Sequence, residues 1–170
     1  MDNSTRNMIN SLTEDILNSF NIETPIRDID ELVHLLGGTI QMDSSFSDGA
    51  LVKDGESFKI IVSPFQDDKR RRFTIAHELG HLFLHMGYLI NTELWENQGE
   101  RVYQREGTSE REYQANEFAA AFLMPRDEYL KVMNENLVGN KVNTSKIAEY
   151  FNVSVEAASN RGKFLGYLRW

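Results

Sequence analysis

The sequence predicts an α+β protein: a helical body with a small antiparallel sheet packed on one central helix, followed by a small C-terminal helical segment. Three observations carry that reading. Apolar residues recur at helical spacing over 5–19, 25–36, 67–86 and 109–123. Short runs rich in Ile and Val, separated by Asp48-Gly49 and Asp54-Gly55, are confined to 39–63, so the strands are grouped rather than alternated with helices. Beyond residue 136 the pattern changes to short helical pieces with a locally positive charge. The expected organisation is a main domain over 1–136 and a segment over 137–170 packed upon it.

Each element has its own signal. Ile9, Leu12, Ile16 and Phe20 line one face of a first helix. Thr24-Pro25 puts proline at the first turn of a second helix, which Gly37-Gly38 ends. Thr39–Met42, Gly49–Lys53 and Phe58–Ser63 follow as strands with hairpin turns. Asp67 and Asp68 then favour the start of a helix reaching about Met86, because acidic groups complement the positive end of the helix dipole. Ile75, Leu79, Leu82 and Met86 form one apolar stripe of that helix and Phe73, Ala76 and Phe83 another. Lys69-Arg70-Arg71-Arg72 at its start reads as a solvated face. Residues 87–108, with glycine at 87, 99 and 107, read as a long surface loop, a length that is often functional. A helix over 109–123 stops before Pro125, a short amphipathic helix covers 126–136, and two more, Thr144–Phe151 and Ser154–Leu165, meet at Asn152-Val153.

A chain of 170 residues, 41% hydrophobic and 26% charged with three prolines, has the composition of a folded globular protein. It has no cysteine, which excludes disulfides and thiolate ligands. The N-terminal stretch is polar and amphipathic, without the apolar core of a signal peptide, and no run approaches the roughly 18 apolar residues of a membrane span, so the expected location is the cytoplasm. Residues 1–140 carry 13 Lys and Arg against 24 Asp and Glu, which disfavours nonspecific nucleic-acid binding by the bulk of the molecule; residues 141–170 carry five against two.

The polar strip of the fourth predicted segment's predecessor, the helix over 67–86, consists of Thr74, His77, Glu78, His81 and His85. His77-Glu78-Leu79-Gly80-His81 places two imidazoles one turn apart with a carboxylate beside them, the spacing of a zinc site with a base next to its water. Such a site needs a third protein ligand. No histidine follows His81 in the glycine-turn arrangement, and His85 stands roughly 12 Å along the axis from His77, so it is expected to support the site rather than ligate. Glu112 on the 109–123 helix is the chosen ligand, with Asn116 one turn on to hold a ligand imidazole in one tautomer. Ser109-x-x-Glu112 equally matches a capping box, in which Glu112 serves a backbone amide, and from periodicity both readings stay open.

Arg71 through His81 and on to His85 resembles the signature helix of the ImmA/IrrE family of metallopeptidases. Glu112 to Pro125, ending in Leu123-Met124-Pro125, is similar to that family's second helix, whose first glutamate is the third zinc ligand. The resemblance covers about residues 30–165 and implies a compact thermolysin-like peptidase with one Zn²⁺ held by His77, His81 and Glu112 and with Glu78 as general base. It also implies a partner: a helix-turn-helix repressor encoded nearby in a mobile element, phage or stress locus, which the enzyme cleaves. The alternative is a zinc-containing regulatory module, or a toxin component, that binds a repressor or antitoxin without cutting it. His85, Tyr88 and Tyr113 are the candidates for stabilising the oxyanion. Lys146–Ala158 has the look of a helix-turn-helix, with Arg161 and Lys163 beyond it; its small positive charge and apolar interior favour docking over DNA binding.

Overall fold

The computed structural model describes residues 1–99, 102–104, 109–139 and 141–170. Its axis is helix α3 (Asp68–Leu84), with Asp67 as N-cap accepting from the Arg70 amide. Eleven of its 17 residues are buried, including His77, Glu78 and His81. A helix wrapped on most sides can hold polar groups only where they are paired, and that focuses attention on its polar strip.

Helix α1 (Asn3–Ser19) precedes α2 (Ile29–Leu35). The second helix begins four residues later than expected, because Asp28 rather than Pro25 starts it: the Asp28 carboxylate accepts from the amides of Asp30 and Glu31. The Thr24-Pro25 bond is cis and lies ahead of the helix. Strands β1 (Thr39–Met42), β2 (Ala50–Asp54) and β3 (Ser57–Val62) fall in the expected region, and a fourth, β4 (Val102–Gln104), joins them. The sheet order is β1-β3-β2-β4, and it is mixed rather than wholly antiparallel. The β2–β3 hairpin, turning at Gly55 with φ 61°, inserts β3 between β1 and β2, so β1 runs parallel to β3 from Thr39↔Lys59 to Met42↔Val62. Leu51, Phe58, Ile60 and Val62 bring the sheet into the core shared with Ile75, Leu79 and Leu82 of α3.

The segment expected as a long loop after residue 86 contains helix α4 (Thr92–Glu96), capped by Asn91, and then β4, which pairs antiparallel with β2. Trp95 anchors it, packed edge-on against Tyr88 with the Lys53 ammonium over its ring. Residues 100, 101 and 105–108 of that stretch lie outside the described residues. Helix α5 (Glu110–Leu123) lies against both α3 and α1. Pro125 separates it from α6 (Arg126–Glu135), a two-residue hairpin of β5 (Leu137–Val138) and β6 (Lys141–Val142) follows, and α7 (Thr144–Phe151) and α8 (Val155–Phe164) end the fold. Between the last two helices Asn152 takes the left-handed conformation, φ 51°. Tyr129 of α6 stacks on Phe151 and donates to the Ala158 carbonyl at 2.7 Å.

The basic run is only partly a solvated face. Arg71 forks onto Asp30 of α2 at 2.7 and 2.6 Å. Arg72, 3% exposed, donates to the carbonyls of Ile26 at 2.7 Å and Arg27 at 3.3 Å. These two arginines staple the α2 region to α3; only Lys69 and Arg70 remain at the surface. Among the described residues no helix is long and apolar enough to cross a membrane.

Candidate metal centre

Helical spacing brings His77 and His81 together with their Nε2 atoms 3.1 Å apart. Gly80, between them in sequence, lets α5 come close: a Cβ there would lie 3.0 Å from the Ala115 Cα and 3.2 Å from the Phe118 Cβ. Across that contact Glu112 places Oε2 3.1 Å from His77 Nε2 and Oε1 3.2 Å from His81 Nε2. Ser109 does cap α5, accepting from the Glu112 amide at 3.4 Å, while the Glu112 carboxylate itself lies against the two imidazoles. The local motif and the long-range one therefore use different atoms of one residue.

The proton positions follow from the partners. His77 Nδ1 lies 2.9 Å from Asn116 Oδ1, an acceptor, so Nδ1 carries the hydrogen and donates. His85 Nε2 donates to Gln114 Oε1 at 3.0 Å, which leaves His85 Nδ1 as acceptor for His81 Nδ1–H at 2.9 Å. Burial holds His85 below the ordinary imidazole pKa, with the Gln114 bond raising it and the Arg111 charge lowering it, in keeping with a neutral ring. Both Nε2 atoms then present lone pairs to two carboxylate oxygens. His77, His81 and Glu112 are all buried, and their ligand atoms lie within 4.8 Å of one another. Four acceptors gathered in a low-dielectric site repel unless a cation lies among them, and two imidazoles with a carboxylate are a donor set that fits zinc.

Glu78, 2% exposed and next to His77 in the chain, has its Oε1 beside the start of β2, where a Cβ on Gly49 would meet it at 3.1 Å. Asn116 and His85 each hydrogen-bond one imidazole of the pair, Asn116 that of His77 and His85 that of His81. Tyr88 does not face the centre. Its hydroxyl donates to the Leu36 carbonyl at 2.8 Å among Phe58, Phe83 and Trp95, and burial pushes its phenol pKa up, so it is a core residue and is not placed to stabilise an oxyanion. Tyr113, 52% exposed, follows Glu112 and lines a cavity of about 850 Å³ that also reaches Asn116 and α8. Sequence reasoning missed Gln114, Gly80 and Gly49. A glycine in mid-helix costs about 1 kcal/mol against alanine, and that cost was the available signal for the close approach at Gly80.

Two histidines one turn apart on a buried helix, a glutamate from the neighbouring helix and a second glutamate beside them define a metallopeptidase-type α+β domain. The chain belongs to the family of zinc metallopeptidases whose model, Peptidase M78, is described as the IrrE N-terminal-like domain and matches residues 42–163. A solved structure described as a Mycobacterium tuberculosis transcriptional regulator is similar in fold, with TM-score 0.56 at 18% identity over 91% of this chain. The chain spans 46% of the length of that structure's chain. No curated protein matches it.

Proposed function

We propose that this protein is a zinc-dependent endopeptidase that cuts a helix-turn-helix transcriptional repressor encoded near its own gene. The observation that carries the peptidase reading is the convergence of His77 Nε2, His81 Nε2 and both Glu112 oxygens, with Glu78 adjacent and outside the trio. The repressor as substrate rests on the resemblance of the two motif helices to the ImmA/IrrE family.

A zinc ion held by His77, His81 and Glu112 would supply Lewis-acid activation of water and of the peptide carbonyl. The protein supplies the rest. Asn116 and the His85–Gln114 pair keep each ligand ring with hydrogen on Nδ1, so that Nε2 stays available. The Glu78 carboxylate accepts the proton of the attacking water and then delivers it to the leaving amine nitrogen as the C–N bond breaks.

The test is incubation of the zinc-loaded protein with the regulator encoded next to its gene, beside the Glu78→Gln form. A discrete cut by the native protein, lost in the variant while zinc is retained, is the expected result. Cleavage by Glu78→Gln at the native rate would sink the assigned role. A tight complex in which the regulator stays whole would make the protein a non-cleaving regulatory module.

A further inference from the structure

We propose that Gly49 fixes the position of the Glu78 carboxylate, with Thr74 forming the other wall of its seat. The inference rests on the reading of Glu78 as the proton carrier, and it names two residues that neither hold the metal nor touch the reacting atoms.

Gly49 immediately precedes β2, whose first residue, Ala50, is fully buried and pairs with Ile61. Its φ of 105° lies where L side chains are disfavoured. A methyl group built on Gly49 would lie 2.5 Å from Thr74 Cγ2, 3.1 Å from Glu78 Oε1 and 3.5 Å from the Ile61 carbonyl oxygen. Thr74 precedes Glu78 by one helical turn, so both side chains share one face of α3. It is fully buried, and its Oγ1 has no hydrogen-bond partner among the described residues. What it offers is the Cγ2 methyl, which closes the space beside Gly49.

The three groups differ in how far they can give way. The end of β2 is held by pairing with β3 on one side and β4 on the other, and α3 is held by the core. Thr74 is β-branched and stiff at χ1 in a helix. The Glu78 carboxylate, at the end of three rotatable bonds, is the part that moves. Gly49 thus leaves open the space beside the carboxylate, and a side chain at 49 would press against Thr74 Cγ2 and Glu78 Oε1 and displace the carboxylate from where it rests.

The experiment combines crystal structures and kinetics on the zinc-loaded protein, with Gly49→Ala, Thr74→Ser and the double variant. In Gly49→Ala the zinc stoichiometry stays native, the Glu78 carboxylate shifts by a few tenths of an ångström, and kcat falls roughly fivefold with KM little changed, a fraction of the roughly 100-fold that a misplacement of about 1 Å costs. Thr74→Ser removes Cγ2 and gives the new methyl room, so the double variant recovers the native Glu78 position and most of kcat. If Gly49→Ala fails to fold, the double variant carries the test through the Glu78 position alone. A Glu78 carboxylate that stays in place in Gly49→Ala overturns the proposal. So does a double variant as impaired as the single one, since backbone strain at φ 105° would then be the cause. Glu78→Gln is measured alongside: cleavage by it at the native rate would remove the proton-carrier reading, while the crystallographic shift would still decide what Gly49 does.

Discussion

A histidine four residues beyond a metal-binding pair can ligate, or it can set the proton on the ring before it. His85 does the second. Its Nδ1 accepts from His81 Nδ1 and its Nε2 passes the polarity on to Gln114, so a chain of two hydrogen bonds decides that His81 offers Nε2 to the centre. Asn116 does the same for His77 in one step. Partners of this kind typically change metal affinity 10–100-fold, so Asn116→Ala is expected to weaken zinc binding by about that factor in a competitive chelator titration. An unchanged dissociation constant would mean that the hydrogen bond does not set the tautomer. Asn116 is itself at the surface, so the substitution removes no core packing and the loss belongs to the ring it holds.

Between elements, the contact of α3 with α5 makes the centre, and Gly80 is the residue that permits it. Gly80→Val puts a branched side chain where even a Cβ comes within 3.0 Å of Ala115 Cα. Overpacking of this sort costs about 1–3 kcal/mol. Because Glu112 sits on the displaced helix, urea unfolding and zinc affinity should fall together; a loss of stability with native zinc affinity would show that α5 can move without taking Glu112 along. The spacing of His77, Glu78 and His81 was legible in the sequence because helical geometry is local, and so were the longer helices, whose apolar faces repeat several times. Glu112 was legible only as a choice between two uses, since capping by Ser109 and facing the imidazoles are both compatible with one position. The parallel pairing of β1 with β3 was not legible, because it depends on the hairpin entering between β1 and β2. Nor was the burial of Arg72, which satisfies two carbonyls some 45 residues away in sequence. Tyr88 misled for a related reason: its neighbourhood to His85 in sequence says nothing about a hydroxyl that turns to Leu36.

Across the whole molecule, the two ends of the chain meet on the helix that carries Glu112. Arg161 of α8, 1% exposed, donates to Glu117 of α5 at 3.0 Å, to the Met124 carbonyl at 3.1 Å and to Asn10 of α1 at 2.8 Å, while Arg6 of α1 reaches the other Glu117 oxygen at 3.2 Å. Burial pushes the Arg161 guanidinium down to about 10, and Glu117 opposes that shift. Arg161 is therefore a bolt between helices, and of the two basic residues that gave the C-terminal helices a DNA-binding look only Lys163 is outside the core. Removing one member of a buried ion pair strands the other, so Arg161→Ala should lower unfolding stability by about 3 kcal/mol in a denaturant titration; a change within 0.5 kcal/mol, roughly the size of a surface substitution, would contradict the bolt. Chelation should likewise lower the thermal midpoint, restored by added zinc, because a ligand bound only by the folded state stabilises it. The most direct measurement is a crystal structure with anomalous diffraction recorded on both sides of the zinc absorption edge. The expected result is one zinc peak about 2.0–2.2 Å from His77 Nε2, His81 Nε2 and a Glu112 oxygen, with Glu78 outside the ligand set. A peak ligated by His85 or Glu78 in place of Glu112, or no peak among these residues in zinc-saturated crystals, would contradict it.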